Sequence, residues 1–395
     1  MTEDVLFGRE VDRWVVETIG EGRIDFGGLV RALPGVDPSL VRKRLEALDK
    51  ELRGRVDWHA VDQPVNVIDR RLPVPHPLDF DWRFSPSTVS QLADELVVHP
   101  GRLTLLGTPS LWMALRGRVR ADLLRLLDAN PSLKTDSVCP GATVLVVDVL
   151  KDDLPSLSSD VVLADPPWYP EAIAGFLWAG SWLLRLGGAL MLSMPPSGTR
   201  PGVRRECEEL LGFAPSCGLT LRSKRPGALR YSSPPFERAA LRAAGLAQHV
   251  PNDWRQGDLL VFERTSDVVA PRPTAQQRRW TERTVSGVRI QIDDYATPTN
   301  DDPQLISLVS NDVLPSVSRR DKRRSNVRVW TSGNRVFGCG SPSRLVGIID
   351  DIIAGRSLAD PVDRRVAESV LVLVERERGE YICSDDRDRV VRPAT

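Results

Sequence analysis

Apolar residues recur at helical spacing in "VDRWVVETIGEG", which stops on glycine, and again in "DFGGLVRALPGVDPSLVRKRLEALDKEL". The second stretch predicts a short helix, a Pro-Gly turn and a longer helix, which Asp37 or Ser39 can cap and whose first turn suits Pro38. The proline-rich "DQPVNVIDRRLPVPHPLDFDWRF" predicts an extended linker, and "SPSTVSQLADELV" a short helix capped by Ser85 or Ser87. From Pro100 to about Thr265 the pattern changes. Near-continuous apolar runs in "RLTLLG", "ADLLRLLDAN", "ATVLVVDVLKDD", "DVVLADPPW" and "GGALMLSMPP" predict five strands. Between them "TPSLWMALRG", "PEAIAGFLWAGSWLLRLG" and "RPGVRRECEELLGFAPSCG" predict helices. "LTLRSKRPGALRYSSPP" and "DLLVFERT" add two strands around the helix "FERAALRAAGL". Strands without polar alternation, separated by amphipathic helices, belong to a mostly parallel sheet covered on both faces.

Beyond about Ala270 the composition shifts. "APRPTAQQRR" is a linker, "RTVSGVRIQI" a strand and "SRRDKRRS" a basic loop. "NVRVWTSGNRVFGCG" predicts a hairpin turning at Ser-Gly-Asn, with helices at "SRLVGIIDDIIAG" and "PVDRRVAESVLVLVERE". The expectation is an α/β protein with a seven-stranded, mostly parallel sheet at residues 76–268. A helical N-terminal domain and linker at 1–75 and a small α+β accessory domain at 269–395 flank it.

The chain has 395 residues, 41% hydrophobic and 27% charged, as a soluble globular protein has. Lysine plus arginine equals aspartate plus glutamate, 53 against 53, which argues against a whole-surface nucleic-acid binder. Cys139, Cys207, Cys217, Cys339 and Cys383 are far apart, no CxxC pair occurs, and with four histidines no metal spacing emerges. Reduced thiols, the lack of a membrane-length apolar run and an N-terminus unlike a signal peptide predict a cytoplasmic protein.

The candidate chemistry lies where strands end. An open parallel sheet binds ligands beyond the carboxyl ends of its strands, and Gly107, Asp128, Asp148 and Asp165 all fall at such ends. "SDVVLADPPWYPEAIAGF" drives an apolar run into an acid, two prolines and a tryptophan. A carboxylate there is costly unless something engages it, so the strand tip presents Asp165, a rigid backbone and an aromatic plate to a ligand. The plain alternative is a strand that ends in a turn.

Seven strands with acids closing the second, third and fourth resemble the class I S-adenosylmethionine-dependent methyltransferases, whose fold is Rossmann-like. The resemblance implies that Gly107, Thr108 and Ser110 meet the methionine end of the cofactor. Asp128, 21 residues after Gly107, would accept from the ribose hydroxyls, and Asp148 would face the adenine amine. "LLGTPSLW" departs from the family's glycine-rich first loop. Asp165, Pro166, Pro167 and Trp168 match the (Asp/Asn/Ser)-Pro-Pro-aromatic motif of amino-methyltransferases. That motif implies N–H acceptance by the Asp165 carboxylate and the Pro166 carbonyl, with Trp168 stacking on a flat substrate. Tyr169, Arg200, Tyr231 and Phe236 are candidate acceptor-binding residues at the pocket edge.

Helix, short helix, turn and basic helix at the N-terminus resemble a winged-helix module, which implies DNA reading, protein docking or a homodimer. That module followed by "DFDWRFSPSTVSQLADEL", "LTLLG", "LLDAN" and "DVVLADPPW" is similar in layout to the branched-chain polyamine synthases. Those enzymes use decarboxylated S-adenosylmethionine and a polyamine. The main expectation is N-methylation of a planar amine, plausibly a nucleobase in DNA or RNA. Aminopropyl transfer to a small-molecule amine is the alternative, and a non-catalytic DNA-binding or assembly protein that keeps the fold is a third.

Overall fold

The computed structural model describes residues 2–20, 22–61, 72–135, 143–268, 270–274, 280–295, 297–298 and 300–382. The chain forms two compact units. One comprises 1–62, 82–232 and 249–276, and the other 63–81, 233–248 and 277–395.

The first unit opens with helices α1 (Glu3–Ile19), α2 (Phe26–Ala32) and α3 (Pro38–Ala47). Asp25 caps α2 by accepting from the Gly28 amide, and Asp37 caps α3 by accepting from Ser39 and Leu40. A two-residue parallel pair joins Ile24–Asp25 to Val56–Asp57. Next comes α4 (Pro86–Val97), capped by Ser85 through the Thr88 amide.

Eight strands, not seven, make up the sheet. They are β1 (Arg83–Phe84), β2 (Leu103–Leu106), β3 (Leu124–Asp128), β4 (Thr143–Val146), β5 (Ser159–Ala164), β6 (Leu184–Met194), β7 (Leu219–Ser232) and β8 (Gln256–Arg264), in the order β1-β7-β8-β6-β5-β2-β3-β4. The extra strand is two residues long and pairs antiparallel through Arg83↔Ser232 and Phe84↔Tyr231. It lies inside a proline-rich stretch that carries no strand period. β4, β3, β2, β5 and β6 run parallel, and β8, β7 and β1 extend the sheet antiparallel.

Helix α5 (Pro109–Leu115) follows β2, α6 (Pro170–Leu183) follows β5 and α7 (Val203–Phe213) follows β6. The sequence pattern ran α6 on to Gly187, but β6 already begins at Leu184. Leu106, Val162, Ala164, Leu190 and Leu192 form one core with Ile173, Leu177 and Leu183 of α6. Gly180 of α6 sits so close to β6 that an added Cβ would come within 2.6 Å of Leu190 Cδ1.

In the second unit, β9 (Thr281–Val285), β10 (Val288–Ile292), β11 (Ile306–Ser307), β12 (Val329–Thr331) and β13 (Val336–Gly338) form an antiparallel sheet ordered β9-β10-β12-β13-β11. Helices α8 (Pro235–Ala243), α9 (Pro342–Ala354) and α10 (Pro361–Ile382) belong to the same unit. The single strand expected at "RTVSGVRIQI" is a hairpin, because Ser286 and Gly287 both take positive φ, 48° and 86°, and reverse the chain.

Cys207, Cys217 and Cys339 are free thiols, and burial pushes each up to about 11. Cys139 and Cys383 lie outside the described residues. Among the described residues no helix is long and apolar enough to cross a membrane.

Leu190 is fully buried and fills the space that Gly180 leaves open. Leu190→Ala should therefore cost about 2–5 kcal/mol. Guanidinium denaturation checks this, and an unchanged midpoint would show that the sheet does not pack on α6 in this way.

Candidate functional site at the strand tips

Parallel register sets the site. Leu106 pairs with both Leu127 and Ala164, Asp128 with Val146, and Ala164 with Leu192. The residues just past these pairs fall side by side, so Gly107, Asp165 and Ser193 stand in a row along the carboxyl edge. Asp128 is one strand further on. The backbone continues the ladder, with Asp165 N donating to Leu106 O at 3.1 Å and Gly107 N to Leu127 O at 3.0 Å. Chain order reverses between β2 and β5, and this is where a doubly wound sheet opens its crevice.

Gly107 has φ 66°, and a Cβ there would meet the Asp165 carbonyl oxygen at 3.3 Å. Both facts require glycine at this tip. Thr108 follows, buried, with its Oγ1 lacking a hydrogen-bond partner among the described residues. It occupies the N-cap position of α5 without capping it. A buried hydroxyl without an acceptor or donor costs free energy, so this tip suits a ligand with a polar group. Ser110 is half-buried in the first turn of α5.

Asp165 is half-buried, and two hydroxyls converge on its Oδ1. Tyr231 Oη donates from β7 at 2.8 Å, and Ser193 Oγ donates from β6. Trp168 Nε1 in turn donates to Ser193 Oγ at 3.3 Å. The Trp168 and Tyr231 rings meet edge to face, with centroids 5.3 Å apart and planes at 90°. Gly257 of β8 leaves room for both. A Cβ there would come within 2.8 Å of the Trp168 ring and 3.1 Å of the Tyr231 ring. Burial, and next the Asp165 charge, push the Tyr231 phenol well above its ordinary value. It remains a neutral donor.

Trp168, expected to stack on a substrate, is half-buried, with its indole N–H engaged with Ser193 and its ring edge-to-face with Tyr231. Its link to the carboxylate runs through Ser193. The aromatic ring at the rim is that of Tyr169, half-buried at the start of α6, with the Arg200 guanidinium 5.5 Å from its centroid. Arg200 pairs with Glu206, and both side chains are largely buried; among the described residues its Nε–H has no acceptor. Pro166 and Pro167 form the bend, and Pro167 O accepts from the Tyr169 amide at 2.7 Å.

Asp128 accepts from the Asn130 amide at 2.8 Å, which fixes its turn. Asp148 lies two residues beyond β4. It accepts from the Leu150 amide at 2.9 Å and pairs with Lys151 at 2.7 Å, so its side chain serves its own turn. Phe236, expected at the acceptor rim, is fully buried in the second unit. Ser193 was not singled out from sequence. Its only signal was its place at the end of an apolar strand, in the run "MLSMPP".

The N-terminal helices border this edge. The turn between α2 and α3 meets the loop that follows β6, with Gly198 N donating to Pro34 O at 2.9 Å. Gln256 Nε2 also donates to Leu33 O. Arg44 of the basic helix α3 is committed to Asp12, its Nε donating at 2.6 Å.

No protein-family model and no curated protein sequence matches this chain. Solved structures do match. The Thermus thermophilus branched-chain polyamine synthase C9 mutein, in complex with N4-aminopropylspermidine and 5'-methylthioadenosine, is 16% identical over 70% of this chain and 97% of its own, with a TM-score of 0.49. The branched-chain polyamine synthase itself, in complex with the same two compounds, is 16% identical over 68% and 91%, with a TM-score of 0.48. A T. thermophilus 16S rRNA N2 G1207 methyltransferase, in complex with AdoMet and guanosine, is 17% identical over 56% and 51%, with a TM-score of 0.30. The structural neighbours thus include a branched-chain polyamine synthase and S-adenosylmethionine-dependent methyltransferases. No residue role follows from likenesses of this degree.

The Tyr231 proton gives a test of the cluster. Folding raises the phenol's hold on its proton, so its contribution to stability is complete below the ordinary value of 10.0 and is lost as pH climbs above it. Absorbance titration should show one phenolate forming only as the protein unfolds, and Tyr231→Phe should remove that step. A Tyr231→Phe titration identical to that of the unaltered protein would contradict the buried hydrogen bond to Asp165.

Proposed function

We propose that the first unit is an S-adenosylmethionine-dependent transferase that places a methyl group on the nitrogen of a planar amine, such as the exocyclic amine of a nucleobase. The observation that carries this reading is the Asp165 carboxylate. It is oriented by hydroxyl donors from β6 and β7, one strand away from the left-handed Gly107 and the buried Thr108 hydroxyl.

The residues suit the donor. Gly107 allows close backbone approach and Thr108 offers a buried hydroxyl to its methionine end, while Asp128 stands at the next strand tip for the ribose. Asp148 is given no direct contact, since Leu150 and Lys151 already hold its side chain. When bound, the donor supplies a methyl group on a positively charged sulfur and leaves as a neutral thioether.

The protein's part is positioning and proton acceptance. An ionised carboxylate can accept at about four lone-pair positions. Asp165 accepts one N–H of the amine and the Pro166 carbonyl accepts the other, which turns the nitrogen lone pair toward the methyl carbon. As the new N–C bond forms and the S–C bond breaks, nitrogen becomes cationic and gives its extra proton to Asp165. Tyr169 offers the flat surface on which a base would stack.

The hydroxyls of Ser193 and Tyr231 reach Asp165, and a guanidinium lies over Tyr169. A planar, weakly basic amine fits such surroundings better than a polycation. This favours methyl over aminopropyl transfer.

Asp165→Ala should lower transfer by about 10²–10⁴-fold while calorimetric affinity for S-adenosylhomocysteine stays within a few-fold. Purified protein would be assayed with labelled S-adenosylmethionine against DNA, RNA and spermidine, and in parallel with the decarboxylated donor. Transfer to spermidine from the decarboxylated donor alone would overturn the methyl assignment. Equal loss of donor binding in Asp165→Ala would overturn the acceptor role of the carboxylate.

A further inference from the structure

The basic run "SRRDKRRS" has no part in the strand-tip chemistry, yet the fold does not leave it merely solvated. In the second unit a cavity of about 380 Å³ is lined by Arg323 from this run, Arg242 of α8, Arg335 at the start of β13, and Arg376 and Glu380 of α10. Four guanidiniums from four separate stretches of chain thus face one space.

Three carboxylates pair with them. Glu380 takes Arg335 on one oxygen and Arg242 on the other, the latter at 2.9 Å. Asp321 pairs with Arg323 at 2.5 Å, and Asp312 lies 3.7 Å from Arg376. The arginines outnumber these partners, and Asp312 is too far from Arg376 for a hydrogen bond. Arg335 is the anchor. Its side chain is 1% exposed, and it donates to Asn311 O at 3.0 Å. Its Nε–H nevertheless has no acceptor among the described residues. Arg242, Arg323 and Arg376 are about half exposed, at 48%, 48% and 50%, so they ring an accessible mouth. Val309, Val313 and Pro315 give the same cavity an apolar side.

A guanidinium is always charged, and its fork of donors matches the oxygens of a phosphoryl group. The volume is within the range of small-molecule pockets, and the apolar residues favour an organic substituent beside the anion. We infer that this cavity is a binding site for a small organic phosphate, the phosphoryl group held by Arg323, Arg335 and Arg376 and the organic part lying on Val309 and Val313. The site is separate from the strand-tip chemistry and does not depend on it.

Phenyl phosphate is a suitable probe because it has a phosphoryl group and an apolar ring and no adenosine for the strand-tip site to take up. Calorimetry on the full chain should show one saturable site, with inorganic phosphate binding more weakly. Arg323→Gln and Arg376→Gln, both at half-exposed positions, should each weaken phenyl phosphate about tenfold as a charge-assisted hydrogen bond is lost. Circular dichroism should stay unchanged, as should affinity for S-adenosylhomocysteine. Absence of a saturable site, or affinity indifferent to both substitutions, would overturn the inference. So would a single-stranded oligonucleotide that displaces phenyl phosphate at far lower concentration, because the arginines would then serve a nucleic-acid backbone.

Discussion

A carboxylate that projects from the end of a central strand is the constraint on which the first unit is built. Asp165 is half-buried, and water does not fully solvate it. Ser193 and Tyr231 supply the missing donors. Those donors come from β6 and β7, which are not sheet neighbours of one another, because β8 lies between them. The antiparallel extension of the sheet is therefore part of the site. Without β8 there would be no strand to carry β7, and Tyr231 would not reach the carboxylate. Glycine at 257 then becomes necessary, since any larger residue on β8 would collide with the Trp168 and Tyr231 rings that close the cluster. The sheet's least regular half thus orients the acid presented by its most regular half.

The N-terminal helices belong to this same unit. A Cβ on Gly198 would come within 2.5 Å of the Pro34 carbonyl oxygen, so the loop after β6 and the α2–α3 turn are fitted to each other at van der Waals limits. Arg31 pairs with Asp253 and Arg204 with Glu10, the latter at 2.7 Å. These pairs join the helical segment to the stretch before β8 and to α7.

The strand tips were legible in the sequence because their signal is local. Apolar runs that stop on glycine or aspartate mark strand ends without knowledge of neighbours, and Gly107, Asp128 and Asp165 were found in that way. Asp37 and Ser85 were readable as helix caps for the same reason. What the sequence hid depends on register and through-space contact. Ser193 becomes meaningful only when Leu192 is known to pair with Ala164, which puts the next residue beside Asp165. Tyr231 was visible as an aromatic near a turn, but its partner is 66 positions away in the chain. The contacts of Trp168 with Ser193 and Tyr231 were not readable, because the motif gives a residue type and no side-chain direction. The partners of Asp148, a lysine three residues on and an amide two residues on, were likewise not readable from the pattern. Arg283 and Asp350, which join β9 to α9 in the second unit, had no sequence signal either, since ion pairs between distant segments leave none.

The central claim is that the row of strand ends from Asp128 to Ser193 forms one crevice that brings a sulfonium donor to Asp165. A crystal structure of the protein with S-adenosylhomocysteine tests it most directly. The account predicts the thioether sulfur above Gly107 and facing Asp165, with the amino-acid end near Thr108 and the ribose at Asp128. Ligand density elsewhere, or a sulfur directed away from Asp165 while Ser193 and Tyr231 bind some other group, would contradict it.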